Sequence, residues 1–243
     1  VPQIHDADPN GFPKGMSIRF MLDGGAHTDV VVISADRFPA ATPEGFLGLL
    51  TAVKETHAQK GTAGSPSPIE TFLAKNPAAK AFVELPKPAP VSFATEDFHG
   101  VNAFEFTNAD GQERFGRYLI DPVAGTQYLD EAMREKMGED YLMNEMSDRL
   151  SKGPVSFDIK LQIAGPDDAV NDPTVVWPAD REMVNLGRLT IDRVKSDGEA
   201  YAKQNMFNPL TLVDGIAPSE DAILLARPGA YAISYGRRLS NPE

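Results

Sequence analysis

The chain has 243 residues, of which 35 are acidic and 23 are basic, so its formal net charge is −12. Such an acidic protein repels phosphate backbones, and we expect no nucleic-acid partner. The absence of cysteine excludes disulfides, thiolate nucleophiles and cysteine-ligated metals. No stretch approaches the roughly 20 apolar residues of a membrane span, so we expect no membrane partner. These features fit the periplasm and the cytoplasm equally.

The first third of the chain predicts a hairpin followed by helices. Residues 16–22 and 29–34 predict two strands that flank the turn at Asp23-Gly24-Gly25. Thr42 precedes Pro43, which predicts the start of a helix because threonine caps free amides and proline suits a first turn. Ser67 and the proline after it predict a second, short helix.

The remaining elements alternate between strand and helix patterns. They are strands at 101–107, 114–120, 155–163 and 186–191, an amphipathic helix over 128–150, and a helical segment over 219–239. Hairpins followed by helices favour an α+β fold with an antiparallel sheet curled into a barrel.

One C-terminal cluster combines a phenol with guanidinium groups. Arg227, Tyr231 and Arg238 are spaced four and seven residues apart, which places them on one helix face. Nearby cations favour the phenolate, a hard anionic ligand suited to ferric iron. Spacing alone favours the plainer alternative of a basic helix with an ordinary half-buried tyrosine. Pro228 and Gly229 form helices poorly, which predicts that the helix begins at about Arg227.

The order and spacing of several segments together resemble the catalase superfamily, and most closely its smaller branch, the catalase-related peroxidases. Lys14-Gly15-Met16-Ser17-Ile18-Arg19-Phe20, for example, is similar to the family's Arg-Gly-Met-Ala-Ile-Arg-Phe strand. The segments that match, in chain order, are 14–20, 38–47, 100–111, 171–178 and 207–216.

This resemblance implies a role for five residues in binding haem. Tyr231 matches the proximal iron ligand, and Arg227 matches the arginine that keeps the phenolate ionised. Arg238 matches a basic residue that meets a haem propionate, and Lys14 stands where the family has an arginine near a propionate. Phe46 lies near the position of an aromatic side chain that packs on the porphyrin.

The resemblance also implies the architecture: a single haem-binding domain over 1–243 with a catalase-type antiparallel β-barrel. Barrel strands are expected mainly within 14–192, helices between the barrel halves, and a helical part with the haem-ligating helix at 196–243. The family's first strands precede the matching region. We therefore expect an open barrel that associates with its own N-terminal fragment.

Two departures from the family bear on turnover. The distal histidine lies upstream of the segment that matches 14–20, so no catalytic histidine is expected in this chain, and neither His5 nor His27 matches its motif. The distal asparagine of true catalases falls at about Ser34, which makes Ser34 a candidate distal-side residue. A shorter hydroxyl favours peroxidase chemistry over fast peroxide dismutation.

Three functions follow as alternatives. The first is a haem peroxidase that reduces hydrogen peroxide or small organic peroxides with an electron donor, alone or as a homo-oligomer. The second is a haem-binding module with little turnover, because a group that moves a proton between the peroxide oxygens is missing. The third is a haem-free barrel that holds an apolar ligand or has a structural role.

Overall fold

The structure is a computed structural model that describes residues 5–8, 11, 13–59 and 65–240. Its strands are β1 (Gly15–Met21), β2 (His27–Ile33), β3 (Phe98–His99), β4 (Phe104–Thr107), β5 (Glu113–Pro122), β6 (Val155–Ile163), β7 (Met183–Ile191) and β8 (Ile216–Pro218). Its helices are α1 (Pro43–Ala58), α2 (Pro68–Lys75), α3 (Pro77–Val83), α4 (Glu131–Arg134), α5 (Tyr141–Lys152), α6 (Gly198–Gln204) and α7 (Ala222–Ser240).

All eight described strands belong to one antiparallel sheet, with β5 at its centre. One edge of β5 pairs with β4 and then β3, and its other edge pairs with β6. Beyond these strands, β2 and β1 follow β3, β8 follows β4, and β7 follows β6. The sheet curls into half of a barrel, and among the described strands β1, β7 and β8 each have a single neighbour. This arrangement confirms the α+β class.

The core is built on one face of the sheet. In β6 the side chains alternate strictly, with Phe157, Ile159, Leu161 and Ile163 buried. Period-two alternation places these four on one face of the strand, as the sequence predicted. Phe157 and Ile159 pack against apolar residues of β1, β2, β3 and β5. The central cluster consists of Ile18, Val30, Val32, Phe98, Ile120, Phe157 and Ile159.

The helix starts at α1 and α2 follow local rules. The Thr42 hydroxyl accepts a hydrogen bond from the Gly45 amide, and Pro43 occupies the first turn of α1. Ser67 and Glu70 form a reciprocal capping box at the start of α2. Both starts were predicted, because a cap depends on residues only three positions apart.

Two predicted elements are wrong in extent. The helix expected over 128–150 is broken: Tyr128 pairs with Pro90 in an extended bridge, and the helical residues are confined to α4 and α5. Tertiary pairing of this segment outweighs its amphipathic pattern. The strand expected over 101–107 begins only at Phe104, because Asn102 and Ala103 turn into a buried polar cluster instead of the ladder.

The C-terminal part departs from the expected helical region in two ways. It supplies the sheet strand β8, which lies outside the predicted strand range of 14–192. It also contains α7, which confirms the helical segment predicted over 219–239 but begins at Ala222 and continues through Pro228, so the start predicted near Arg227 is wrong. Ile223 and Leu224 are buried, so packing of the first turn compensates for the missing proline hydrogen bond.

Candidate functional site

A chain of four side chains runs from the sheet to the middle of α7. Asp221 Oδ2 accepts a hydrogen bond of 2.6 Å from Asn102 Nδ2, and Asn102 Oδ1 accepts one of 2.6 Å from Arg227 Nη1. Arg227 Nε then donates to the phenolic oxygen of Tyr231 at 3.0 Å. The amide of Asn102 can satisfy both neighbours in only one orientation, which fixes the direction of the guanidinium.

Burial makes this chain rigid. The side chains of Asp221 and Asn102 are buried, whereas Arg227 and Tyr231 are half-buried. Burial raises the pKa of Asp221 from its ordinary value, and hydrogen bonds from Asn102 and from the Leu224 and Ile223 amides oppose that rise. The other carboxylate oxygen of Asp221 caps α7, since it accepts from those two amides at 3.2 and 2.8 Å. The same carboxylate therefore anchors both the helix and the guanidinium.

The predicted one-turn relationship between Arg227 and Tyr231 is present. The guanidinium carbon of Arg227 lies 5.4 Å from the centroid of the Tyr231 ring, in addition to the hydrogen bond to its oxygen. The phenolic oxygen therefore accepts a hydrogen bond from a cationic donor. The two residues form the part of the predicted site that the structure brings into direct contact.

Arg238 lies further along the same helix and contacts a different segment. Its Nη2 donates to the carbonyl oxygen of Asn205 at 3.2 Å. Tyr235, which precedes it on α7, donates its hydroxyl to the Gln204 carbonyl at 2.8 Å. The C-terminal half of α7 is thus held against the segment that follows α6.

That segment is held in turn by a buried ion pair on the β1–β2 hairpin. Arg19 binds the two Asp29 carboxylate oxygens at 2.7 and 2.8 Å, and the Asp29 side chain is fully buried. Arg19 also donates to the Met206 carbonyl at 2.7 Å and to Asn205 Oδ1 at 3.3 Å. Arg19 and Arg238 therefore meet at Asn205, and both guanidinium groups lie near the C-terminal end of α7.

Lys14 and Ser34 lie at the opposite end of the hairpin. Ser34 Oγ accepts from the Lys14 amide at 2.8 Å, and Lys14 Nζ donates to the Asp6 carbonyl at 2.9 Å. Both residues line a small cavity of about 70 Å³ together with Glu96, Asp97 and other residues. The structure thus pairs these two candidates with each other, and their roles as a propionate partner and a distal residue stay predictions.

Phe46 lies on the first turn of α1, half-buried, and its ring packs on that of Phe38 with centroids 4.9 Å apart. Helices α1 and α7 are in contact, so Phe46 belongs to an element beside the Tyr231 helix. Its packing partner within the described residues is the Phe38 ring, and its contact with a porphyrin stays a prediction.

The donor set at Tyr231 fits the chemistry of a ferric haem ligand. The phenolic oxygen is an anionic type of ligand with a cationic donor already in place. Two cavities of about 700 and 770 Å³ lie elsewhere, beside α5 and between α1 and α2, and Tyr231 lines neither.

Sequence reasoning missed Asn102, Asp221 and Arg19. Asn102 belongs to a segment already recognised for its family pattern, and Asp221 precedes a predicted helix, where aspartate is a common cap. Their role became visible only through contacts that span 119 residues. Arg238 was the basic residue predicted at the C-terminal end of α7. Arg19 contacts the same residue, Asn205, and no local sequence pattern indicated this.

The comparisons with known proteins agree with this architecture. The family model for catalase matches residues 3–242. A catalase-related peroxidase of Mycolicibacterium paratuberculosis is 34% identical over 98% of this chain and 74% of its own length. One of Synechococcus elongatus is 31% identical over 98% of this chain and 69% of its own length.

Solved structures give the same fold at lower identity. A fungal catalase superposes with a TM-score of 0.84 at 20% identity, over 98% of this chain and 50% of its own chain. Catalase A from Saccharomyces cerevisiae gives 0.82 at 19% identity, over 98% of this chain and 51% of its own. The chain thus spans about half the length of these catalases. Sequence and fold together establish that the chain belongs to the catalase family of oxidoreductases.

Proposed function

We propose that the chain is a haem-dependent peroxidase that reduces hydrogen peroxide or small organic peroxides with electrons from a separate donor. The observation that supports this most directly is the 3.0 Å contact between Arg227 Nε and the Tyr231 oxygen, backed by a buried amide and carboxylate. The names of the relatives, catalase-related peroxidase, support the reaction class.

In this proposal Tyr231 would hold the iron and Arg227 would keep its oxygen ionised. Bound haem would supply the redox chemistry with peroxide. Asn102 and Asp221 orient Arg227, since the amide oxygen accepts from Nη1 and thereby leaves Nε directed at Tyr231. Arg238 would balance negative charge on the cofactor, because its guanidinium lies on the same helix, two turns beyond the phenol.

Cleavage of a peroxide also needs a group that transfers a proton between its two oxygens. His5 Nε2 is 3.1 Å from the Met137 carbonyl oxygen, and His99 Nε2 is 3.1 Å from Asp97 Oδ2, so both rings already have hydrogen-bond partners. We propose that the proton-transferring histidine comes from outside these 243 residues, on an N-terminal fragment that associates with the chain.

The second candidate is a haem-binding module with little turnover. The engagement of His5 and His99 favours it for the chain taken alone. The two candidates share haem binding through Tyr231 and differ in peroxide consumption. Measuring peroxide consumption by the reconstituted chain, with and without a co-purified N-terminal fragment, distinguishes the two candidate functions.

The test is haem reconstitution of the whole chain and of the variant Tyr231→Phe, followed by absorption spectroscopy and measurement of haem transfer to apomyoglobin. We expect the variant to lose stable haem binding, because phenylalanine offers no ligand atom. The matched control is Tyr235→Phe, which removes a hydroxyl from the same helix that donates to the Gln204 carbonyl. Full haem occupancy in Tyr231→Phe would refute the proposal, as would the absence of a Soret band in the wild-type chain.

A further inference from the structure

A buried carboxyl group, unused in the proposed reaction, lies beneath the N-terminal strap, which we define as residues 5–8, 11, 13 and 14. Glu96 is 4% exposed, and its Oε1 accepts a hydrogen bond of 3.0 Å from the Tyr128 hydroxyl. Asp97 follows it directly in the chain and lines the same cavity. Two neighbouring carboxyl groups disfavour double ionisation, because their negative charges repel each other.

The strap closes over this pair. Asp6 donates its amide to the Glu139 carbonyl at 2.9 Å, and Asp6 Oδ2 accepts from the Leu142 amide at 3.1 Å. This carboxylate therefore caps the start of α5, where Asp140 makes no side-chain cap. Ala7 is buried against Leu142 and neighbouring apolar residues. Within the strap, Lys14 Nζ donates a hydrogen bond to the Asp6 carbonyl oxygen.

The cavity of about 70 Å³ between strap and sheet, room for about two waters, concentrates negative charge. Asp6 and Asp8 line it from the strap, and Glu96 and Asp97 line it from the sheet side. The cations that line it are Lys14 and Lys87. Tyr128 lines it as well, Tyr141 of α5 interacts electrostatically with Glu96, and His99 reaches the cluster through Asp97. With Glu96 neutral, the carboxylates of Asp6 and Asp97 face two ammonium groups, and ionisation of Glu96 adds a third carboxylate.

We propose that a proton held on Glu96 keeps the strap closed over the cavity that contains Lys14 and Ser34, and that loss of this proton opens the strap. Ionised Glu96 repels the neighbouring Asp97 and, across the cavity, Asp6. Strap opening relieves that repulsion, because Glu96 becomes hydrated and the Asp6 carboxylate moves away. The inference does not depend on haem binding.

The pH range of the switch follows from the environment of Glu96. Burial, chiefly, raises the pKa of Glu96 to about 7, the charge of Asp97 adds to the rise, and the hydrogen bond from Tyr128 opposes it. A group whose pKa is higher in the closed state binds more protons there, so the closed state loses stability as pH rises. The stability of the closed state begins to fall at about pH 4.3, the ordinary pKa of glutamate, and the fall is complete above about pH 7.

Hydrogen exchange of the Leu142 amide tests the proposal, because this amide is protected by the Asp6 cap. In the whole wild-type chain we expect its protection factor to fall between pH 5 and 7, by up to tenfold per pH unit, and to level off above. In Glu96→Gln, which cannot ionise, the profile should be flat. The matched control Glu84→Gln changes an exposed glutamate and should retain the wild-type slope. The Ile120 amide in the core serves as the reference for global unfolding.

A second variant separates protonation of Glu96 from a general effect of substitution. Asp97→Asn removes the neighbouring charge, so the fall in Leu142 protection should move to lower pH. A flat wild-type profile, a wild-type slope in Glu96→Gln, or an unmoved range in Asp97→Asn would each overturn the proposal.

Discussion

Arg19 and Arg238 bind the same residue from opposite ends of the chain. Arg19 Nη1 donates to the side-chain oxygen of Asn205 at 3.3 Å, and Arg238 Nη2 donates to its main-chain carbonyl at 3.2 Å. Since Arg19 is fixed by buried Asp29, the β1–β2 hairpin determines where the C-terminal end of α7 lies. The candidate site therefore depends on packing that begins far from Tyr231.

Substitution Asp29→Asn should lower the free energy of unfolding by about 3–5 kcal/mol, because it leaves a largely buried guanidinium without its counter-ion. Chemical denaturation measures this loss. Asp158→Asn is the control, since its partner Arg188 is exposed and such surface pairs contribute about 0–1 kcal/mol. Equal losses in the two variants would contradict the expectation.

The same ion pair should be visible in the pH dependence of stability. Burial alone would raise the pKa of Asp29, but hydrogen bonds from Arg19 and the Asn208 amide outweigh burial, so the pKa lies below its ordinary value. This contribution to stability is present above about pH 4 and is lost as pH falls through the lowered pKa. The wild-type chain should therefore lose stability more steeply than Asp29→Asn on acidification below pH 4. Parallel curves would argue against it.

Substitution Asn102→Ala should destabilise the chain by about 2–3 kcal/mol, because it leaves a buried carboxylate oxygen of Asp221 and a donor of Arg227 without partners. Haem retention should fall as well, since Arg227 loses its orientation. Thermal and chemical unfolding measure the first effect, and haem transfer measures the second. Asn144→Ala, at an exposed position of α5, should change stability by less than about 0.5 kcal/mol.

Substitution Arg227→Ala should weaken haem ligation more than folding. Loss of a hydrogen bond from a charged donor costs about 1.5–3 kcal/mol, which corresponds to roughly tenfold to hundredfold faster haem loss. The rate of haem loss and the iron spin state report the effect. Arg237→Ala removes a charge from an exposed position of the same helix and should leave both unchanged. Unaltered haem retention in Arg227→Ala would count against the assigned role.

Substitution Gly116→Ala should destabilise the sheet by about 1–3 kcal/mol, because a Cβ there would lie 2.7 Å from Leu161 Cγ in the packed core. The melting temperature and the denaturation midpoint report this change. Gly138→Ala is the matched control, since a Cβ at that position meets no atom within 4 Å. An equally stable Gly116→Ala protein would show that the core can yield at Leu161.

Several elements were predictable because their causes are local. The alternation of β6 follows from the two-residue period of a strand, and the caps at Thr42 and Ser67 join residues three positions apart. The Arg227–Tyr231 contact follows from the four-residue period of a helix. Contacts between residues only two to four positions apart can therefore be predicted from the sequence alone.

The sequence by itself determined the fold class, the hairpins, the helix caps and the pairing of Arg227 with Tyr231. Only the tertiary structure decided that α7 continues through Pro228, that residues 128–150 do not form one helix, and that Asn102, Asp221 and Arg19 support the C-terminal helix. The physical reason is that burial and contacts between distant segments set these outcomes. The energies of burial and of long-range contacts depend on how the sheet curls, and local sequence periodicity contains no information about that curvature.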